Sequence, residues 1–240
     1  MNAGREGAET GVTAENVRRV RELIASAARA AGRAAEDITL VAAAKQNGAA
    51  SVREAIAAGV DAVGENRVQE MTEKLLAGAY EGAPLHFIGH LQTNKVRFVV
   101  GACALIESAD SPRLVEEIGK RAVSLGIAQD ILLEVNIGRE PGKSGVLPEN
   151  LTETLEKAAS TRGIFVRGLM AVPPALAQNK GNRRFFDDMM KLFVDIRGKT
   201  YDNVDMRYLS MGMSDSFREA VLSGANMVRI GSAIFGLRKY

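Results

Sequence analysis

The sequence has no tryptophan, two histidines, six prolines and one cysteine. A lone cysteine, Cys103, excludes an intramolecular disulfide and any cysteine-built metal cluster, and it fits a reducing compartment. The two histidines, His86 and His90, sit in the stretch HFIGH. On a strand, residues four apart stand about 13 Å apart, so the pair cannot grip one ion and no metal site is expected. The formal net charge is only +2, with no basic block. That argues against a dedicated nucleic-acid or membrane-surface protein. No apolar run reaches the ~18 residues of a membrane span. The opening MNAGREGAETGVTAEN lacks the basic-then-apolar pattern of a secretory signal. The expected location is therefore cytoplasmic, and residues 1–12, small and polar, read as a flexible N-terminus.

What is present is an ordinary globular composition, 46% hydrophobic and 25% charged over 240 residues. α/β barrels of this length are commonly single domains. Without linker-like composition or repeats, residues 13–240 read as one domain. Val17, Val20, Leu23, Ile24, Ala27, Ala28 and Ala31 recur at helical spacing. The chain thus opens with an amphipathic helix, with Thr13 as its expected N-cap and Gly32 just past its end.

An alternation follows. Eight short apolar runs read as strands: ITLVAAAK, VDAVGEN, LHFIGH, CALIES, DILLEVNI, IFVRGLMAV, MRYLSMG and NMVRIGSAIF. They are continuous rather than alternating, as strands buried on both faces should be. Helical patterns lie between them: SVREAIAAG, RVQEMTEKLLAG, SPRLVEEIGKRAVSLG and RRFFDDMMKLFVDIRG. Ser111 and Pro112 fit the cap and first position of the third. The stripe of Phe185, Phe186, Met189, Leu192, Phe193 and Ile196 in the fourth fits packing on a sheet. Alternating strands and helices imply parallel crossovers. Eight of them predict an α/β fold, a single (β/α)8 TIM barrel, with an open doubly wound sheet as the alternative. The leading helix is expected to fill the place of a helix after the eighth strand.

Barrel chemistry sits at the C-terminal strand ends. Alternation puts Val41, Ala43 and Lys45 on one face of the first strand. If that face lines the barrel, Lys45 projects into the mouth, where desolvation favours the neutral, nucleophilic amine. A solvated strand-end lysine is the plainer alternative. The last two strand ends, MGMSDSFREAVLSG and RIGSAIFG, suit an anion: Ser214 or Asp215 as helix cap, Gly231 for close backbone approach, Ser232 as hydroxyl donor. Barrels often bind phosphate there. Arg229 shares a face with Gly231. An inward arginine needs a partner, either a buried carboxylate such as Glu65 or a ligand ring atom.

With these residues assembled, the chain resembles the pyridoxal 5′-phosphate (PLP) homeostasis proteins, the YggS/PROSC family. The stretches that carry the resemblance are LVAAAK, VGENRVQE, HFIGHLQTNK, VNIGREPGKSG, GLMAVP and LSMGMSDSFREAVLSGANMVRIGSAIFG. They run from about residue 38 to residue 236. The resemblance implies a barrel of the alanine racemase N-terminal-domain type. It implies that Lys45 forms the internal aldimine (a Schiff base) with PLP. Asn66 would contact the cofactor, Ser214, Gly231 and Ser232 would hold its phosphate, and Arg229 would face the pyridine nitrogen. His90 and Met213 are pocket candidates, and Lys143 is a candidate secondary amine in the loop after the fifth strand. The departures are Gln46 and Asn47 after the lysine, where many relatives have threonine and lysine, IESAD for an HSVD-like stretch, and Ser232 for threonine.

An arginine at the ring nitrogen disfavours its protonation and makes PLP a weaker electron sink. The resembled racemases add a tyrosine from a further domain, for which 240 residues leave no room. The expected function is thus PLP binding, buffering and delivery in the cell, with little amino-acid turnover and no catalytic residues assigned. PLP-dependent apoenzymes would be the acceptor partners, and monomer is the default state. The alternatives are a weak PLP-dependent racemase and a Schiff-base aldolase acting on a phosphorylated substrate.

Overall fold

The computed structural model describes residues 11–174 and 181–236. Eight parallel strands close into a barrel in sequence order. They are β1 (Thr39–Ala43), β2 (Ala62–Glu65), β3 (Leu85–Phe87), β4 (Leu105–Ala109), β5 (Gln129–Val135), β6 (Ile164–Ala171), β7 (Val204–Ser210) and β8 (Met227–Ile230). Around them run α1 (Val12–Ala30), α2 (Ala49–Ala57), α3 (Val68–Leu76), α4 (Val96–Val99), α5 (Pro112–Ser124), α6 (Leu151–Ser160), α7 (Arg183–Arg197), α8 (Phe217–Leu222) and α9 (Ser232–Phe235). The closed barrel is the predicted fold; the open sheet is set aside. Among the described residues no helix is long and apolar enough to cross a membrane.

The strands bury both faces, so the core has two parts. Inside the barrel, Val41, Ala62, Leu105, Leu132, Met170 and Met227 form one apolar plug. Outside, alternate residues such as Leu40, Ala42 and Val63 pack against the helices. This phase carries the inward face of β1 from Val41 through Ala43 to Lys45 at the mouth. Closure needs local irregularities: register shifts occur in the pairings of β4 with β5, β5 with β6 and β6 with β7. At the last of these Gly168 has φ 151°, and a Cβ there would come within 1.8 Å of the Tyr208 carbonyl oxygen, so only glycine fits.

The leading helix lies against α2, α8 and α9, closing the ring of helices where β8 is followed by a single turn. Asn16 Nδ2 donates to the Ile234 carbonyl at 2.9 Å across that seam. Its start differs from expectation. α1 begins at Val12 with Gly11 as N-cap, and Thr13 is buried within its first turn. The cap comes from the neighbouring helix: the Glu54 carboxylate accepts from Gly11 N at 2.5 Å and Ala14 N at 3.3 Å, leaving Thr13 no capping work. Of the expected flexible N-terminus, residues 1–10 lie outside the described residues. Gly32, at φ 68°, follows the end of α1 as expected. Ser111 caps α5 by accepting from Leu114 N, with Pro112 at its first position. In α7, Phe186, Met189, Phe193 and Ile196 are buried against the sheet. The final run NMVRIGSAIF is strand only through Ile230. SAIF forms α9, whose turn buries Ile234.

Candidate functional site

Four consecutive strands of the closed barrel, β7, β8, β1 and β2, bring Ser214, Gly231, Ser232, Lys45 and Asn66 to one side of the mouth. Lys45 is half-buried. It follows Ala44, whose amide donates to Gly64 O at 2.9 Å, so the β1 end stays tied to β2. Gln46 then turns the chain at φ 63°. Asn66 leaves β2 with its side-chain Oδ1 buried and without a hydrogen-bond partner among the described residues. Such an atom costs desolvation until something donates to it.

The loops after β7 and β8 meet. The Ser214 hydroxyl accepts from Ala233 N at 3.2 Å. Neither Ser214 nor Asp215 caps α8, contrary to expectation. The chain makes one further turn, Ser216 takes the cap position, and its hydroxyl accepts from Met213 N at 3.2 Å. That turn frees the Ser214 hydroxyl to reach the β8 loop. Gly212 has φ 94°, and a Cβ there would strike Ala220 and Phe217, so glycine lets α8 tuck beneath the loop. Among the described residues, the N–H groups of Ser214, Asp215 and Ser232 donate to nothing. Gly231 sits between them and β1, with the Ala43 carbonyl oxygen 3.3 Å from where its Cβ would stand. Unbonded backbone donors on two touching loops suit an oxyanion.

Beneath the mouth lies a polar layer. Arg229 points inward from β8, 5% exposed. It donates from Nη1 to Ser210 Oγ at 2.5 Å and from Nη2 to the Ala171 carbonyl at 2.9 Å. Its carboxylate is Glu107, 3.7 Å away, not Glu65. The sequence reading missed this because Glu107 lies on the opposite strand β4, while Glu65 points out of the barrel toward α3. There Glu65 pairs with Lys74 at 2.5 Å and accepts from the Tyr80 hydroxyl at 3.0 Å. Glu107 also meets His86 Nδ1 at 2.8 Å and accepts from Ser210 Oγ at 2.6 Å. Burial alone would raise its pKa. The bond and charge of His86, the charge of Arg229 and the Ser210 hydroxyl together hold it below the ordinary carboxylate value. Period-2 phase was the signal available: Glu107 follows inward Leu105 by two residues, and Ser210 follows Tyr208, which packs on the same plug.

The other side of the mouth is self-contained. His90 is exposed, with Asp110 Oδ2 at 3.0 Å and Ser144 Oγ at 2.9 Å, both on Nδ1. Lys143 pairs with Glu140 at 2.5 Å. Met213 is half-buried in the loop after β7, on the Lys45 side. Glu134, 8% exposed on β5, has its pKa pushed up to about 7 by burial first and by Asp110 second, against the pull of Arg229 and His90. Among the described residues no group of three histidine, cysteine or acidic side chains is arranged to hold a metal.

The family model for the alanine racemase N-terminal domain matches residues 13–239. A pyridoxal phosphate homeostasis protein of Aquifex aeolicus is 42% identical over 226 residues, 94% of this chain and 98% of that protein. The solved structure of PipY from Synechococcus elongatus with PLP bound superposes with a TM-score of 0.80 at 30% identity, covering 93% of this chain and all of that one. Alanine racemase of Streptomyces lavendulae shares the fold at a TM-score of 0.71 and 19% identity, and the match spans 58% of that enzyme.

Proposed function

The chain belongs to the alanine racemase N-terminal-domain family and, within it, to the pyridoxal phosphate homeostasis proteins, and on that premise we propose that it binds PLP at the β7–β8–β1–β2 side of the mouth, buffering and delivering it in the cytoplasm. One observation carries the reading: two touching loops present backbone donors with no partner among the described residues, beside the strand that leads into Lys45. PLP needs donors for a phosphate, an amine for an aldehyde and a polar partner for its ring substituents. The unbonded N–H groups with the Ser214 and Ser232 hydroxyls meet the first need, Lys45 the second, and the orphaned Oδ1 of Asn66 the third.

When bound, PLP supplies an aldehyde that condenses reversibly with amines. Lys45 would hold it, and an acceptor protein's lysine would take it by exchange. Arg229 supports holding over turnover. Paired with Glu107 and Ser210, it remains a cation beneath the site, and a cation does not stabilise a protonated ring nitrogen. The bound group is then a poor sink for carbanion electrons. Full-length relatives named for homeostasis support the same reading. Lys143, engaged with Glu140, acts at most as a relay on the far rim.

The test is visible absorption of the protein titrated with PLP, wild type beside Lys45→Ala, followed by borohydride reduction and peptide mapping. The wild type should absorb and carry its label on Lys45, and the variant should do neither. Label spread evenly over surface lysines would refute the site. Steady turnover of an amino acid that disappears in Lys45→Ala would replace the carrier reading with a racemase.

A further inference from the structure

We propose that α3 sets the reach of Lys45 by gripping the chain on both sides of it, with Glu70 and Lys74 as positioning residues. The inference rests on Lys45 being the PLP lysine. Lys74 Nζ donates to the carbonyl of Ala44, the residue before Lys45, at 2.8 Å. Glu70 Oε2 accepts from the amide of Gln46, the residue after it, at 2.7 Å. Glu70 and Lys74 are four apart on α3 and therefore share one face, one turn from each other. A single helix thus offers a donor to one flanking peptide and an acceptor to the other.

Both halves of the grip are themselves braced. Lys74 is buried and held by Glu65 at 2.5 Å, and the same oxygen accepts from Tyr80. The Glu65 carboxylate thus holds this lysine where the Ala44 carbonyl is its second partner. Glu70 is 21% exposed and also faces Arg67 at 3.5 Å. The Gln46 backbone is left-handed, at φ 63°, a conformation that side-chain-bearing residues adopt reluctantly. Holding it requires fixed partners. Glu70 is one, and Asn47 supplies others through N–H to Ala44 O and Nδ2 to Lys45 O, both at 3.0 Å.

The chemistry explains why such a grip would matter. An amine that must meet an aldehyde held by its phosphate needs a fixed base point, because misplacement by about 1 Å is costly to bond formation. Fixing the backbone on either side places the base of the lysine side chain.

The experiment compares wild type, Glu70→Ala and Glu70→Gln. It reads PLP affinity from visible absorption, the fraction of Lys45 labelled after borohydride, amide hydrogen exchange at Gln46, and the thermal midpoint. Glu70→Ala should expose the Gln46 amide to exchange and weaken PLP binding about tenfold, the weight of one charge-assisted hydrogen bond. Its Lys45 label should fall while the thermal midpoint drops by no more than about 2–4 °C per kcal/mol of the lost bond. Glu70→Gln keeps an acceptor oxygen and should recover binding to within about threefold. Faster exchange at Gln46 with wild-type PLP affinity overturns the proposal. So does a binding loss that Gln fails to rescue. A wild type without visible absorption sinks the PLP reading and this one together, whereas normal wild-type absorption with Glu70→Ala unchanged sinks this one alone.

Discussion

Glu107 inside the barrel and Glu65 on its outer wall are both fully buried carboxylates paired with a cation, yet their surroundings differ. Glu107 uses both oxygens: Oε1 meets His86, and Oε2 takes the Ser210 hydroxyl and faces Arg229. Glu65 uses one. Lys74 and Tyr80 share its Oε1, while Oε2 is buried with no partner among the described residues. The consequences run in opposite directions. Against the upward push of burial, His86, Arg229 and Ser210 hold Glu107 below the ordinary carboxylate pKa, whereas burial leaves Glu65 above it despite the bond to Lys74. A buried ion pair is stable as charge only when its remaining lone pairs are also met. The inner pair is built to keep a charge under the site. The outer pair spends its geometry on fixing a lysine that grips the backbone.

Replacing each carboxylate with its isosteric amide breaks this comparison most directly. Glu107→Gln puts an NH2 where donors converge and takes from Arg229 and His86 the carboxylate paired with them. The expected loss is about 3–5 kcal/mol, the cost of orphaning one side of a buried pair. Urea denaturation at neutral pH measures it, and a loss below about 1 kcal/mol would mean that Arg229 does not depend on Glu107. The sign with pH follows from the lowered pKa. The unfolded state takes up the proton first as pH falls, so the contribution is whole above the ordinary carboxylate value and fades as pH drops through the folded one.

These two sites also mark how far the sequence could be read. The barrel was legible because strands buried on both faces are continuous apolar runs, and eight of them with intervening helices leave few topologies. Lys45 was legible because period 2 carries through Val41 and Ala43. What joins distant strands was not. Ser210 and Glu107 lie 103 residues apart, and nothing local in LIES or YLS names the other. Arg229 demanded a carboxylate, but choosing Glu107 over Glu65 required knowing which face of each strand turns inward. Helix ends failed for a related reason. α1 is capped by Glu54 of α2, and SAIF has strand-like composition yet coils because Ile234 must reach the core beside α1.

A third carboxylate extends the series. Glu134 has charged neighbours but no side-chain hydrogen bond among the described residues, and its pKa rises to about 7. Between the ordinary carboxylate value and about 7 the folded state holds a proton that the unfolded state has released, so stability should fall as pH rises through that window. At about 1.4 kcal/mol per pH unit the full drop is at most about 3.5 kcal/mol. Glu134→Gln should flatten the slope and leave stability below that window close to wild type. Parallel stability curves for the two proteins from pH 4 to 8 would show that Glu134 is already satisfied.

The smallest effect is expected at Glu65, and it sharpens the contrast. In Glu65→Gln the amide oxygen can take the place of Oε1, keeping the Lys74 and Tyr80 bonds, while the NH2 occupies the side where Oε2 has no partner. Lys74 loses a counter-charge but keeps two acceptors, one of them the Ala44 carbonyl. The cost should be about 1 kcal/mol, that of exchanging a charged acceptor for a neutral one, against several for the same change at Glu107. Burial, which raises the pKa of Glu65 despite its bonds to Lys74 and Tyr80, already disfavours a charge there, and this offsets part of the loss. Denaturation of the two amide variants side by side decides the matter. Equal losses would mean that the unpartnered oxygen of Glu65 is immaterial and that burial alone sets the strength of both pairs.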